Sequence, residues 1–298
     1  MSACCALDVS VSVFYDPKLV WEDGRGPRRL KERQERARVE ADCTISAPRD
    51  EPACVLHEIL TVDGKKAAES VEELEGDRDS RTIYLPEPAW WSLEAPVRYT
   101  LVSTLLCGEN SCACTHPFGL RAVSYHPAWG FLVNGEPLAL HGVSLERRPD
   151  RPQEKETLAA QLLRLKQRGV HLLRVFAPDD TLLDGCDEAG LLVDAGLFRA
   201  GESAALSREE AERLARERIE RITRHPCAVL WHGAEKQENE WLAGLMEQAA
   251  PKANLVCAAE IPFTDEALTG TADENDAYME TGAFFLPDAA GDTLFADN

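Results

Sequence analysis

The stretch LLRVFAPDDTLLDGCDEAGLLV, residues 172–193, decides the fold class of the second half of the chain. It begins and ends with short apolar runs, Leu172 to Phe176 and Leu191 to Val193, and similar runs lie at Leu138 to Val143 and Ala228 to Trp231. Helical patterns separate these runs. Because an alternation of strands and helices implies crossover connections onto a parallel sheet, we expect an α/β domain after about residue 124.

Two helices of this domain are marked by their end signals. One is predicted to stop at Gly169, and the other to begin at the capping-box pair Ser207 and Glu210 and to end before Pro226. The apolar stripe of the first helix consists of Leu158, Leu162 and Leu165. The apolar face of the second consists of Ala211, Leu214, Ala215, Ile219 and Ile222.

The first 120 residues or so have the pattern of strands instead. Apolar and polar residues alternate from Leu7 to Val13 and from Val39 to Ile45, which is the period of a half-buried strand. Further strand-like runs, separated by Pro, Gly and Asp, lie at residues 54–62, 81–85, 97–106 and 118–123. Short strands at this spacing predict a small antiparallel β-sandwich, with Trp90 and Trp91 in its core.

Composition excludes several classes of function. The 298 residues include 52 Asp and Glu against 32 Lys and Arg, a net charge of −20, which repels phosphate backbones and anionic lipids. We therefore expect no nucleic-acid partner. No apolar run reaches the ~18 residues of a membrane span and no secretory signal is visible, so we expect no membrane insertion. The ten cysteines then indicate free thiols in a soluble, intracellular protein.

Three segments in the first half carry a family resemblance: WSLEAPVRY at 91–99, FGLR at 118–121, and FLVNGEPL at 131–138 followed by HGV at 141–143. In this order they resemble glycoside hydrolase family 2, the group of β-galactosidases, β-glucuronidases, β-mannosidases and exo-β-glucosaminidases. The resemblance implies an immunoglobulin-like β-sandwich over residues 1–123. It also implies a truncated TIM-type (β/α) barrel over residues 124–298.

The resemblance continues into the predicted site. Arg174 lies where the family carries a substrate-site arginine, and HPCAVLW at 225–231 resembles the strand that leads to the family's acid/base glutamate. Without a gap Lys236 takes that glutamate's place and Glu235 replaces the preceding asparagine, whereas a two-residue insertion gives the place to Glu238. A lysine, with an ordinary pKa of ~10.4, is a poor substitute for the acid. Glu235 and Glu238 are therefore the candidate acid/base residues.

The second catalytic carboxylate of the family, its nucleophile, has no counterpart that we can identify in this sequence. In the family the nucleophile is a glutamate on the seventh barrel strand, and a retaining glycosidase needs its two carboxyl groups ~5–5.5 Å apart. A barrel uses ~250 residues, so the four units after Trp231 need ~125, but only 67 residues follow Trp231. We therefore expect an inactive relative, retained as a structural or interaction subunit or as a carbohydrate-binding remnant.

Two alternatives stay open at this point. The chain could be a working retaining β-glycosidase acting on β-mannosides, β-galactosides or β-glucosaminides, with a nucleophile from Glu260 or from a second polypeptide. It could also be one piece of a longer gene product, to which the activity would belong.

Several side chains fall near the predicted carboxyl ends of the strands, where barrel folds place their sites. The candidate substrate-binding residues are Arg174, Asp194, Trp231, Glu146 and Glu260. With Glu235 they predict an acidic pocket that binds sugar hydroxyls. Acidic residues are nonetheless abundant here, and Arg174 could simply pair with a neighbouring carboxylate such as Asp194.

No cofactor or metal is expected. Cys107, Cys112, Cys114 and His116 lie within ten residues, but their spacing is not the paired arrangement of zinc ribbons, so they indicate free thiols near a turn. An open half-barrel would expose apolar strand edges, and for that reason we expect a protein partner or a larger assembly. The tail after residue 265, rich in Gly and acidic residues, is expected to be irregular.

Overall fold

The computed structural model describes residues 6–14, 19–21, 27–29, 36–46, 53–74, 76–148, 151, 153–234, 236–250, 253–266 and 276–286. The chain divides into two compact units. The first comprises residues 1–16, 31–91 and 97–120, and the second comprises residues 17–30, 92–96 and 121–298.

The bounds of the described elements follow in chain order. The strands are β1 (Ala6–Phe14), β2 (Leu19–Trp21), β3 (Pro27–Arg29), β4 (Arg36–Ser46), β5 (Ala53–Thr61), β6 (Lys66–Glu73), β7 (Arg78–Pro86), β8 (Tyr99–Cys107), β9 (Asn110–Phe118), β10 (Val123–His126), β11 (Gly130–Val133), β12 (Glu136–Pro137), β13 (Leu140–Arg147), β14 (Leu172–Phe176), β15 (Leu192–Gly196), β16 (Ala228–His232), β17 (Val256–Cys257), β18 (Thr264–Glu266) and β19 (Tyr278–Leu286). The helices are α1 (Lys155–Gln167), α2 (Asp180–Ala189), α3 (Arg208–Thr223) and α4 (Lys236–Ala249), with short 3₁₀ turns at Ser203–Ala205 and Ala258–Glu260. None of these described helices combines the length and the apolar character needed to cross a bilayer.

The first unit is a β-sandwich of two antiparallel sheets. One sheet has the strand order β1-β4-β7 and the other has the order β6-β5-β8-β9. One apolar cluster holds residues of both sheets, including Val39 and Ile83 of the first and Ile59 and Leu101 of the second, so the sheets pack face to face. The predicted alternation in β4 is confirmed, because Val39, like Ala41 two residues later, is 0% exposed.

Two strand expectations in this unit need correction. The predicted run at 118–123 is mostly not a strand, since β9 ends at Phe118 and β10 begins at Val123. Phe118 and Leu120 are both buried, which mimics the strand period, but the carbonyl of Leu120 accepts the backbone N–H of Trp91 (2.8 Å) outside any ladder. The sequence pattern also missed β6, which is largely exposed and therefore carries little apolar signal. Trp91 is 0% exposed, as predicted for a core residue.

The sandwich encloses a polar contact in its interior. His57 is 1% exposed, and its Nδ1 lies 2.8 Å from the hydroxyl of the fully buried Ser103. Its other nitrogen lies 3.7 Å from the Sγ of Cys43, whose pKa burial raises to about 12. Burial lowers the pKa of His57, and Arg81 adds to this while Asp79 opposes it. The sandwich is therefore built around a neutral imidazole and a neutral thiol.

The second unit is an α/β structure with a partial barrel sheet. Its seven described strands have the order β17-β16-β15-β14-β13-β19-β18. The five strands from β13 to β17 run parallel to one another, and helices connect them along the chain. This arrangement confirms the strand–helix alternation predicted for this half of the chain. In the same unit β2 pairs with β3, and β10, β11 and β12 form a small antiparallel sheet.

Both predicted helices are confirmed. Helix α1 ends at Gln167, and Gly169 adopts φ 80°, the left-handed conformation that glycine tolerates best. Helix α3 begins after Ser207, whose side chain accepts the backbone N–H of Glu210 while the Glu210 carboxylate accepts the backbone N–H of Ser207. The predicted apolar face of α3 is buried except at Leu214, which is half-exposed.

The FGLR segment places an arginine in the interior of this unit. The Arg121 guanidinium donates to the backbone carbonyls of Pro226 and Ala228, at the start of β16, and to that of Asn254, just before β17. Burial lowers its pKa to about 10, so it stays charged at neutral pH. Arg121 therefore ties the entrance of two adjacent strands to the segment that precedes β10.

The expectation of an irregular tail is wrong for residues 278–286. These residues form β19, which pairs antiparallel with β13 at eight positions, from Leu140 opposite Leu286 to Arg147 opposite Tyr278. The apolar side chains that β19 buries explain the pairing, since Tyr278, Phe284 and Leu286 are each no more than 4% exposed. Residues 267–275 and 287–298, which belong to the same expectation, lie outside the described residues.

Gly142 of β13 lies directly under an aromatic ring of β19. It pairs with Phe284, and a Cβ at Gly142 would lie 2.2 Å from a carbon of the Phe284 ring. In real proteins a Cβ atom essentially never lies closer than 3.0 Å to such a heavy atom. The Phe284 ring therefore covers the backbone of Gly142, and a side chain there would push β19 away.

We predict that Gly142→Ala lowers the free energy of unfolding by about 1–3 kcal/mol, the usual cost of overpacking a tight contact. Gly244→Ala is the matched control, because Gly244 lies in α4 with open space at its Cβ. That control is expected to be stabilising by up to about 1 kcal/mol through helix propensity. Urea unfolding measures both, and equal midpoints for the two variants would contradict the packing described for Phe284.

We also predict that stability declines as the pH falls below about 6.5, the ordinary pKa of histidine. The unfolded chain binds a proton at His57 in this range, whereas the folded chain resists protonation because the pKa is lowered by burial. Burial lowers the pKa of His171 too, so it contributes in the same direction. Urea unfolding at pH 7 and pH 5 should show a smaller pH effect for His57→Gln than for the wild type. An unchanged pH effect would show that His57 is not involved.

Candidate functional site

The carboxyl ends of β13 to β16 meet at one edge of the parallel sheet, the usual place for a site in such folds. A buried ion pair lies there. Asp194 of β15 is opposite Arg174 of β14 and next to β16, which ends at His232. The Asp194 carboxylate accepts Arg174 Nε at 2.7 Å and His232 Nδ1 at 2.8 Å. Three adjacent strands are thus joined through one carboxylate.

The charge of this carboxylate follows from its neighbours. Asp194 is 0% exposed, and burial alone would raise its pKa. The attraction of His232 and Arg174, together with their hydrogen bonds, outweighs burial, so the pKa of Asp194 lies below its usual value. An ionised carboxylate only accepts hydrogen bonds, so the proton on the His232 ring that faces it is carried by Nδ1. Asp194 therefore holds two side chains and has no exposed surface to offer a sugar.

Arg174 is fixed on more than one side. Beyond its bond to Asp194, the guanidinium carbon lies 4.2 Å from the ring centroid of Phe284 and 5.3 Å from that of Phe263. About a quarter of its side chain remains exposed. The pairing with Asp194 that the sequence suggested is present, and it leaves part of the guanidinium open to a ligand.

A cavity of about 230 Å³ lies beside this arginine. Its described lining comes from residues 144–147 of β13, from Arg174 and Phe176 of β14, from Arg199 after β15 and from Thr281 of β19. Of the candidate substrate-binding residues, the structure thus brings Arg174 and Glu146 together. Glu146 is the one carboxylate among the described lining residues.

Thr281 reaches the cavity through an irregularity in the strand pairing. Ser144 pairs with Gly282 and Leu145 with Glu280, so Thr281 is an extra residue between two paired positions. Its hydroxyl donates to the backbone carbonyl of Ser144 at 3.3 Å. Such bulges commonly redirect a side chain next to a binding site.

The acid/base candidates lie in and before the first turn of α4. One carboxylate oxygen of Glu238 accepts the backbone N–H of Ala234 at 2.7 Å, and the other accepts the hydroxyl of Ser203. Both oxygens are thus engaged in positioning the loop that follows β16. Glu238 is not among the described residues that line the cavity, and Glu235 lies outside the described residues altogether.

Two further candidates are placed as follows. Trp231 is 5% exposed within β16, so it packs in the core and offers no surface for stacking on a sugar. Glu260 ends the 3₁₀ turn after β17, and its side chain lies outside what the structure describes. The sequence pattern missed His232, Arg199 and Thr281. His232 directly follows the predicted strand and could have been found, whereas Thr281 lies in the segment expected to be irregular.

A second polar cluster lies at the opposite end of the strands. Asp187 of α2 accepts Nδ1 of His225 at 2.7 Å and the backbone N–H of Cys227 at 2.8 Å, and Asp184 lies close by. These three side chains, Asp184, Asp187 and His225, form a group compact enough for a metal within the described part of the chain. The hydrogen bonds to His225 and Cys227 give Asp187 a structural role, because they attach α2 to the start of β16. Cys112 is a free thiol.

Comparison with known proteins gives a consistent family. Residues 28–121 match the family model for glycosyl hydrolases family 2. Among curated relatives, a β-galactosidase of Thermoanaerobacter pseudethanolicus is 27% identical over 214 residues, which cover 65% of this chain and 28% of the relative. A putative β-glucuronidase of Formosa agariphila is 32% identical over 148 residues, 47% of this chain and 14% of the relative.

Solved structures show the same fold. A β-glycosidase from Bacteroides vulgatus aligns with a TM-score of 0.66 at 20% identity, covering 84% of this chain and 32% of that structure. An FMN-binding β-glucuronidase from Facaelibacterium prausnitzii aligns with a TM-score of 0.61 at 23% identity, covering 83% of this chain and 38% of that structure. The chain spans about a quarter or less of these curated relatives and about a third of these structures. The family match over residues 28–121, the curated relatives and the fold together support a glycoside hydrolase family 2 protein.

Proposed function

We propose that this chain is a non-hydrolytic member of family 2 that binds a carbohydrate in the cavity beside Arg174. The proposed domains are an immunoglobulin-like sandwich over residues 1–123 and a partial TIM-type barrel over residues 124–298. One observation carries the proposal: the described lining of the cavity holds a single carboxylate, Glu146. A retaining glycosidase requires a pair, ~5–5.5 Å apart, of which one protonates the leaving oxygen and the other attacks the sugar.

The hydrogen bonds of Glu238 support the same proposal. A general acid has to present its proton to the glycosidic oxygen. Both carboxylate oxygens of Glu238 instead accept hydrogen bonds, one from the backbone N–H of Ala234 and the other from the hydroxyl of Ser203. A carboxylate held as an acceptor on both oxygens is suited to fixing a loop and poorly suited to donating a proton.

The sheet edge supports the proposal independently. In a closed (β/α)₈ barrel the first strand is flanked by two parallel strands. Here β13 has β14 on one side and the antiparallel β19 on the other. A parallel closing strand would have to displace eight paired positions of β19. This pairing therefore supports a sheet that does not close into the catalytic ring of the family.

Binding remains chemically reasonable in this cavity. Arg174 is fixed and partly exposed, and Glu146 and the Ser144 and Thr281 hydroxyls add the donors and acceptors that sugar hydroxyls require. A volume of about 230 Å³ is below the usual ~300–1,000 Å³ of ligand pockets. We therefore propose that the cavity takes a single sugar unit and not an extended oligosaccharide.

A protein partner is part of the proposal. Strand β17 pairs with β16 on one side and has no second neighbour among the described strands. Open parallel edges are normally covered by another chain segment. A structural or interaction role in a larger assembly would cover this edge.

The relatives are glycosidases by name, which keeps a second candidate, a retaining β-glycosidase, in view. In that case Glu238 or Glu235 would be the acid/base residue. We predict no turnover of aryl β-galactosides, β-glucuronides or β-mannosides above a buffer blank, and no covalent adduct with a fluorosugar trap. Glu238→Gln should leave this result unchanged, as should Glu240→Gln, its exposed neighbour and matched control. Turnover that Glu238→Gln abolishes and Glu240→Gln retains would overturn the proposal.

A second prediction tests how Arg174 is held. Asp194→Asn removes the charge that pairs with Arg174 and His232, and deleting one partner of a buried pair typically costs about 3–5 kcal/mol. Glu212→Gln is the control, because it removes an exposed carboxylate paired with Arg208 on α3 and should cost under about 1 kcal/mol. Urea unfolding compares the two variants. Equal losses in the free energy of unfolding would show that Asp194 does not anchor Arg174.

A further inference from the structure

We propose that the sandwich carries a docking face for a second copy of this chain, formed by the outer face of the sheet β6-β5-β8-β9. This inference is independent of the proposed carbohydrate binding. Burial alternates along β8, where Leu101, Ser103 and Leu105 are buried and the residues between them are at least partly exposed. The alternation separates an inner face, which packs on the other sheet, from an outer face that solvent reaches.

The outer face is nearly free of charge. Strands β5, β8 and β9 each contribute four outward residues to it, and of these twelve described residues only Glu58 is charged, whereas 28% of the whole chain is charged. The charge of Glu58 is compensated by Lys66 at 3.1 Å. The outward residues are the even-numbered ones of 54–60 and 100–106 and the odd-numbered ones of 111–117.

The opposite outer face of the same sandwich has the usual charged surface. On β4 and β7 the outward residues include Arg38, Glu40, Asp42 and Arg78, and Arg38 pairs with Glu40 at 3.5 Å. Charged side chains keep a sheet face in water and oppose association. One outer face is therefore adapted to solvent, and the lack of charge on the other is a local property and not one of the composition.

Apolar side chains take the place of charges on the outer face. Leu106 is 40% exposed, and Val71, which β6 adds opposite Leu56, is 58% exposed. Leu56 and Val102 are partly exposed beside them. These residues lie on three adjacent strands and form one apolar surface. Contiguous apolar surfaces of this kind usually mark a site of protein interaction.

The distribution of charge favours a second copy as the occupant. Two copies carry −20 each and repel one another over most of their surface, whereas two neutral faces can meet without placing like charges together. A basic partner would gain more from the acidic surface elsewhere on the chain. The outward acidic residues of β6, Glu69 and Glu73, lie at the rim, and Glu69 is paired with Lys66 at 2.6 Å. A two-fold axis through the neutral centre makes the face complementary to itself.

The size of the face determines how strong the contact can be. Four strands ~4.8 Å apart and about seven residues of ~3.4 Å each give roughly 19 Å by 24 Å, or about 450 Å² per copy. A total of about 900 Å² is below the ~1,200–2,000 Å² of stable interfaces and falls among weak, transient ones. We therefore expect a reversible dimer with a Kd in the micromolar range.

The test is sedimentation velocity of the full chain, from low micromolar to several hundred micromolar concentration. We expect a monomer that converts to a dimer as the concentration rises. Raising the ionic strength from ~0.1 M to ~0.5 M screens the repulsion between the two acidic chains, so it should tighten the dimer at least twofold. A dimer that salt weakens would be held by opposite charges, and that result would overturn the proposal.

Variants then locate the contact. Leu106→Glu and Thr104→Glu each place a carboxylate on the outer face of both copies and should raise the Kd of the dimer at least tenfold. Tyr84→Glu is the matched control, because Tyr84 is an apolar residue, 56% exposed, on the outer face of the other sheet. It introduces the same charge and should leave the Kd unchanged. Equal thermal midpoints of the three variants, measured at a concentration where the chain is monomeric, verify that the sandwich is folded.

Three further results would overturn the proposal. One is a monomer at every concentration, which would leave the face to a different partner. Another is a dimer that neither Leu106→Glu nor Thr104→Glu weakens, since its interface would lie on another surface. The third is a dimer that Tyr84→Glu weakens by the same factor, because the effect would then come from net charge and not from the face. None of these results bears on carbohydrate binding, whose cavity is lined by residues of the second unit.

Discussion

The antiparallel pairing of β19 with β13 is the constraint on which the second unit depends. It occupies the edge of the first parallel strand at eight positions, and it is possible because Gly142 leaves room for the ring of Phe284. The same ring lies 4.2 Å from the guanidinium carbon of Arg174, and the bulge in this pairing brings Thr281 to the cavity. This pairing thus marks where the parallel part of the sheet ends and supplies part of the wall of the cavity.

Asp194 provides the electrostatic counterpart of this packing. A fully buried carboxylate costs several kcal/mol of desolvation and persists because Arg174 and His232 compensate for it. The benefit is orientation, since each partner comes from a different neighbouring strand and is held through a directional bond. In this arrangement Asp194 supports Arg174 and has no exposed surface of its own, although sequence position alone placed both residues at the same strand ends.

Local signals made much of this fold predictable from the sequence. The stop at Gly169 and the capping box at Ser207 are encoded within a few residues, and the parallel strands are short, mostly buried runs. Strand β19 was missed because its partner lies about 140 residues away and no local pattern records that pairing. For the site, family resemblance located Arg174, but the cavity also depends on Arg199 and Thr281, which only the tertiary structure brings to it.

The described lining of the cavity favours binding over hydrolysis in chemical terms. An arginine keeps its proton at any physiological pH, so a cavity lined by three of them can hold a negative charge but has no proton to give. General acid catalysis instead requires a group whose pKa lies near the working pH. Glu146 alone cannot serve as both acid and nucleophile, since the two roles act from different positions on the sugar. A cavity whose described lining holds one carboxylate and three arginines is therefore better suited to the proposed recognition of a ligand than to its cleavage.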